Sequence, residues 1–162
     1  MHGVPRPSNS TGDKFYFTDY CNQTQGYRLY IYKSVVDCFY LAQKWAIYTE
    51  AQSNCSAIGG RVMQAKTQDR YDLFLHFARN VFGTFTFLGL TDQVTDGIFQ
   101  WEDGEVINPT WKNTIYMYGE GTANSLTENC TVAANYSSFI WVYDGRCDLT
   151  TKRHYYICEL IT

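Results

Sequence analysis

Between Tyr27 and Ala42 the chain reads YRLYIYKSVVDCFYLA. This loosely alternating run of aromatic and β-branched residues predicts one or two strands. The period then changes. In AIYTEAQSNCSAIGG, Tyr48, Ala51, Cys55 and Ile58 recur at intervals of three and four, which marks one face of a helix, and Gly59-Gly60 offers a left-handed stop. TQDRYDLFLHFARNVFG predicts a second helix. Thr67 caps its start, Asp69 sits in the positive first turn and Gly83 follows its end. Phe74, Phe77, Ala78 and Val81 form the stripe expected to face the core. After Gly83 short apolar runs alternate with turn residues: FTFLGLTD is a strand, TDG a turn, and IFQWEDGE a strand entering another turn. Residues 108–128, NPTWKNTIYMYGEGTANSLTE, carry little periodicity, and a loop of that length in a compact domain is either functional or misassigned. CTVAANYSSFIWVYDGRCDLTTKRHYYICEL reads as three short strands. Helices early and strands late give an α+β fold, with no internal repeat.

Composition narrows the picture. The 162 residues fit one domain, and 45% hydrophobic against 18% charged residues suits a packed core rather than disorder. Tyrosine is abundant, at 14 residues, beside 10 Phe and 4 Trp. The formal net charge of -3 gives no electrostatic reason to expect nucleic acid or an anionic membrane as partner. No apolar run reaches the roughly 18 residues of a membrane span. Residues 1–20 are expected to be a flexible N-terminal segment, a mature or engineered start or a fragment boundary, ahead of a domain over 21–162.

Six cysteines stand at Cys21, Cys38, Cys55, Cys130, Cys147 and Cys158, with no CxxC pair. An even count at wide spacing favours disulfides and an oxidising compartment, although 15 pairings are open to six cysteines. Five sequons, at Asn9, Asn22, Asn54, Asn129 and Asn135, agree with a secreted or extracellular chain. Asn54 and Asn129 each directly precede a cysteine.

Several motifs in order resemble the C-type lectin-like domain. Cys38 and Cys55 stand 17 residues apart, IGGRV follows the first helix, and FLGLTD runs from Phe87 to Asp92 with Phe where that family has Trp. QWEDGE at Gln100 to Glu105, ENC at Glu128 to Cys130 and the closing YYICE complete the likeness over about three quarters of the chain. The resemblance implies the long form of the fold: two helices, antiparallel sheets, a long irregular loop and three disulfides. These are Cys55–Cys158, Cys130–Cys147 and an extra N-terminal pair, Cys21–Cys38. A loop of about 100 residues closed by Cys55–Cys158 removes ~4.7 kcal/mol of unfolded-chain entropy in the simple model.

The resemblance also implies a Ca²⁺ and sugar site in the long loop, since calcium takes 6–8 oxygen ligands. Glu120 falls at the first place of the family's ligand triplet, with Gly121 in place of proline, Thr122 at the last place and Asn124 as its alternative. Glu128 matches the acid before the cysteine and Asp144 the aspartate before the next. Tyr143 stands where the family has asparagine, and Trp141 lies one residue further off. Asp92 and Asp96 match an accessory calcium position, with Glu128 and Asn129 nearby; they read equally as turn formers. Trp101 and Trp111 are expected to fill the core under the loop, while Trp141 and Tyr143 are candidates for surface contact. KTQDR and TKR read as solvated faces. His2, His76 and His154 pair with no nucleophile and acid, so no enzyme is expected. The expected function is a calcium-dependent module recognising glycans or glycoproteins. The alternative is a calcium-independent domain that docks a protein receptor.

Overall fold

The computed structural model describes residues 21, 25–116, 129–136, 139–147 and 153–161. The N-terminal segment 1–20, Asn9, Asn22, Glu120, Thr122, Asn124 and Glu128 lie outside the described residues. The strands are β1 (Arg28–Tyr32), β2 (Val35–Ala46), β3 (Gly60–Val62), β4 (Thr86–Thr95), β5 (Ile98–Trp101), β6 (Cys130–Tyr136), β7 (Phe139–Gly145) and β8 (His154–Leu160). The helices are α1 (Tyr48–Ala57), α2 (Gln68–Phe77) and α3 (Pro109–Ile115). The fold is α+β. Its path of paired strands runs β1-β2-β8-β4-β6-β7, with β3 also on β8 and β5 also on β4. The step from β8 to β4 is parallel, at Tyr155 and Thr86, and the others are antiparallel.

Local chemistry accounts for the helix ends. Glu50 Oε1 accepts from the Ile47 N–H at 3.1 Å, the reaching-back half of a capping box. Gly59 closes α1 with φ of 78°, in the left-handed region that favours glycine. Thr67 Oγ1 accepts from the Arg70 N–H at 3.3 Å and opens α2. Tyr48, Ala51 and Cys55 are buried under α1, as their spacing predicts.

Two sequence expectations fail here. Val81 is 42% exposed rather than in the core. The five residues Ala78–Phe82 form a π turn, whose Gly83 N–H bonds to Ala78 C=O at 2.9 Å. The wider turn rotates Val81 off the stripe, and Tyr71 and Leu73 join Phe74 and Phe77 in the core instead. The aperiodic stretch from Asn108 also opens with a helix, so the described residues hold three helices rather than two. Asn108 Oδ1 accepts from the Thr110 N–H at 2.8 Å and Pro109 fills the first position, where its missing N–H costs nothing.

Apolar burial falls on both faces of the sheet. One cluster joins α2 to Phe39, Leu88, Leu90, Phe99 and Trp101. The other joins α1 to Tyr27, Phe87, Val132 and Tyr156, and all six cysteines sit in it. The bridges are Cys21–Cys38, Cys55–Cys158 and Cys130–Cys147, with Cα separations of 5.8, 5.3 and 5.3 Å. That is the set the resemblance implies. Phe87, replacing the family's Trp, is fully buried with its ring 5.2 Å from Tyr48.

The KTQDR segment is less solvated than its composition suggests. Arg70 bridges two acids, Asp37 at 3.0 Å and buried Glu159 at 2.7 Å, and its guanidinium lies over the Phe39 ring. Glu159 also accepts from Arg61 at 2.8 Å and from the Gln64 N–H at 2.8 Å. Lys66 pairs with Asp103 and Glu105. This lattice of charge ties β2, β3, α2 and β8 together.

Candidate calcium and ligand site

Strand β4 delivers Asp92 to the rim of the sheet. Its N–H donates to the Asn129 carbonyl at 3.0 Å, so the residue after Glu128 is bound to the acid. Asp92 is only 2% exposed, and its Oδ2 accepts from the Gly97 N–H at 3.0 Å across the turn. Gly97 takes φ of 89°, which admits that turn. The second oxygen, Oδ1, is buried with no hydrogen-bond partner. Burial pushes the Asp92 carboxyl above its usual range. The Gly97 N–H opposes this, while the charges of Asp96 and Asp144 add to it.

Asp144 arrives from β7. It lies opposite Thr131 of β6, and paired residues in an antiparallel ladder share a face. The Thr131 hydroxyl is hydrogen-bonded to the Tyr116 hydroxyl at the end of α3, so this face holds Thr131, Tyr116 and the Asp144 side chain. Tyr116 is buried. Burial drives its hydroxyl well above the usual range; the Thr131 bond opposes this, and Asp144 and Asp92 reinforce it. The structure therefore sets Asp92 within electrostatic reach of Asp96, from the turn that follows its own strand, and of Asp144, from a strand far along the chain. Tyr116 and Thr131 complete the neighbourhood and carry no sequence signal beyond the Asn108-Pro109 cap that sets α3.

Tyr143 and Trp141 fall elsewhere. Strand alternation puts Tyr143 on the opposite face from Asp144, beside Val132 in the disulfide-bearing cluster. Trp141 is half-buried on that same face, with its ring 6.3 Å from Phe139. Trp101 is buried in the core and Trp111 half-buried, its Nε1–H donating to the Ala65 carbonyl at 2.8 Å. His154 is buried against Phe87, and His76 bonds to Asn80.

The donor chemistry present suits a hard cation. The charged groups around Asp92 are carboxylates, and its buried Oδ1, which has no donor, is an oxygen that a cation could engage. Among the described residues, no three His, Cys, Asp or Glu side chains stand at metal-holding distances. The remaining oxygens expected for calcium, from Glu120 and Glu128, belong to residues outside the described set.

The chain belongs to the C-type lectin family: its Lectin C-type domain model matches residues 42–160. Human C-type lectin domain family 4 member D is 26% identical over 125 residues, 76% of this chain. The chain spans only 54% of that relative's length. The Kupffer cell C-type lectin receptor Clec4f, solved as a trimer, aligns with a TM-score of 0.69 at 16% identity, covering 97% of this chain and 98% of that one. The murine dendritic cell inhibitory receptor 2 domain, solved in complex with N-glycan, aligns with a TM-score of 0.65 at 18% identity, covering 85% of this chain and 98% of that one.

Proposed function

We propose that this chain is an extracellular C-type lectin module that recognises glycans with calcium. The observation carrying this reading is the buried, half-satisfied carboxylate of Asp92 set among the charges of Asp96 and Asp144. The like charges of Asp96 and Asp144 act on the buried Asp92 carboxyl, and a bound cation would relieve that repulsion. Asp92, Asp96 and Asp144 are the described residues that would hold the ion, joined by Glu120 and Glu128; Thr122 and Asn124 would add neutral contacts. Calcium bound there would offer coordination positions to sugar hydroxyls. Family membership and the N-glycan complex of the murine inhibitory receptor support glycans as the ligand class. Disulfides and sequons support secretion and a glycoprotein, because both belong to an oxidising lumen.

Titration calorimetry with Ca²⁺, followed by a glycan array with and without a chelator, tests the reading. Calcium heat with a chelator-sensitive glycan signal is expected. Silence in both would end it.

One observation favours a second reading. Tyr143 occupies the family's asparagine position yet turns to the opposite face and brings no carbonyl oxygen to a metal. Calcium-independent capture of a protein partner, lost on Trp141→Ala, would mark that alternative.

A further inference from the structure

We infer that Asn54 carries an N-linked glycan whose first sugar seats in a preformed pocket on the α1 face, away from Asp92. The pocket holds about 330 Å³ and is lined by Gln25, Tyr40, Lys44, Asn54, Ile58 and Tyr156 among others. Tyr40 lies opposite Cys158 and Ala42 opposite Tyr156 across β2 and β8, so the two tyrosines share one sheet face. Helix α1 crosses that face, and Asn54 and Ile58, one turn apart, stand over it. The Asn54 Nδ2 donates to the Tyr156 hydroxyl at 3.0 Å, which fixes the amide at the pocket mouth. That amide nitrogen has two hydrogens. Tyr156 engages one, and the other is free for replacement by a sugar.

The lining matches an N-acetylhexosamine. The Tyr40 ring, braced by Gly26 and by Tyr27 at 6.2 Å, and the Ile58 side chain face its apolar side; Lys44 and Gln25 face its hydroxyls. Asn54-Cys55-Ser56 is an acceptor sequon, and Ser56 is exposed. The transfer is a substitution. Asn54 Nδ2 bonds to C1 of a lipid-pyrophosphate-linked oligosaccharide, the C1–O bond breaks, the lipid pyrophosphate leaves with the electron pair, and the amide proton passes to a base.

The neighbouring cysteine sets the order of events. Cys55 is fully buried and bridged to Cys158, 103 residues later. Glycosylation precedes closure of that bridge, while the segment is still extended and Cys158 has yet to arrive. The inference rests on the secretory part of the proposed function and is independent of its calcium part.

The test delivers the chain with an added leader to a glycosylating secretory host. Peptide mass spectrometry after enzymatic deglycosylation in ¹⁸O-water then reads Asn54. Occupancy is expected, lost in Asn54→Gln and in Ser56→Ala. The seat predicts that native glycoprotein releases the Asn54 glycan about tenfold more slowly than denatured chain, equivalent to ~1.4 kcal/mol, and that Tyr40→Ala removes the delay. An unoccupied Asn54 in a secreted, disulfide-bonded chain overturns the site, whatever the other sequons show. Equal release from native and denatured chains overturns the seat. A chain whose Asn54 is occupied but which binds no calcium leaves this inference standing while the calcium reading falls.

Discussion

The backbone N–H of Asp92 donates to the carbonyl of Asn129 at 3.0 Å, and this bond joins the two halves of the candidate site. Strand β4 carries the first acid, while β6 begins at the next residue, Cys130, clipped to Cys147. On its other edge, β6 sets Thr131 opposite Asp144 of β7. Strand pairing therefore carries Asp92 and Asp144 to one end of the sheet.

Asp92→Asn separates metal binding from folding. Burial raises the Asp92 carboxyl above its usual range, so its charged form is disfavoured in the folded chain. The sign follows: a raised carboxyl pKa stabilises the fold at low pH, and that contribution is lost as pH rises through the folded value. In chelator at neutral pH, the Asp92→Asn variant should therefore melt above the parent, by ~2–4 °C if the gain is about 1 kcal/mol. Added calcium should stabilise the parent and do little for the variant. Thermal melts with and without calcium check both; a variant melting well below the parent in chelator would refute the account.

Arg70→Ala strands a buried charge. Glu159 would keep Arg61 and the Gln64 N–H but lose its closest cation, and Asp37 would lose its partner. Breaking a buried pair costs up to 3–5 kcal/mol, and Arg70 is partly solvated, so about 2–3 kcal/mol is expected. Urea unfolding reads it, and a loss under 1 kcal/mol would show that water screens the lattice.

Gly89→Ala should be worse than an ordinary surface change. A methyl at Gly89 would approach the Val62 and Met63 carbonyls at 2.5 and 2.8 Å, and both belong to backbone. The Gly89 N–H bonds to Met63 C=O at 2.8 Å and its carbonyl accepts from the Glu102 N–H at 3.1 Å, so the segment has little room to shift. A loss of about 2 kcal/mol or more is expected, in the range of other overpacking substitutions. Wild-type stability in a chemical melt would contradict the close packing.

Val81→Ser and Phe77→Ala form a matched pair across the π turn. Val81 is exposed, so serine there should change stability by less than ~0.5 kcal/mol. Phe77 is buried between Tyr30 and Phe39, with ring centroids 5.0 and 5.8 Å away, so alanine should cost about 3–5 kcal/mol. Equal losses at the two positions would restore the single stripe that the spacing implies.

Much of the fold is legible in the chain. Tyr48, Ala51 and Cys55 bury at helical spacing, and Thr67 caps where a cap is expected. Helix α3 escapes periodicity because seven residues hold barely two turns, too few to repeat a pattern. Its signal is the Asn108-Pro109 cap alone. Val81 escapes for a different reason: one wide turn changes the phase of everything after it, and neither Arg79 nor Asn80 announces that turn.

Capping, alternation and turn chemistry act within a few residues, and so the order of most strands and helices follows from the linear chain, as the disulfide-rich class follows from its six cysteines; the candidate acids come from the family resemblance. Which face each side chain takes does not. Asp144 joins Tyr116 while Tyr143 joins Val132 because the β6–β7 register assigns neighbouring residues to opposite sides of the sheet. Asp92 loses solvent because β4 is enclosed between partners on either side. Register and enclosure are sums over contacts between segments far apart in the chain, so only the folded molecule decides them.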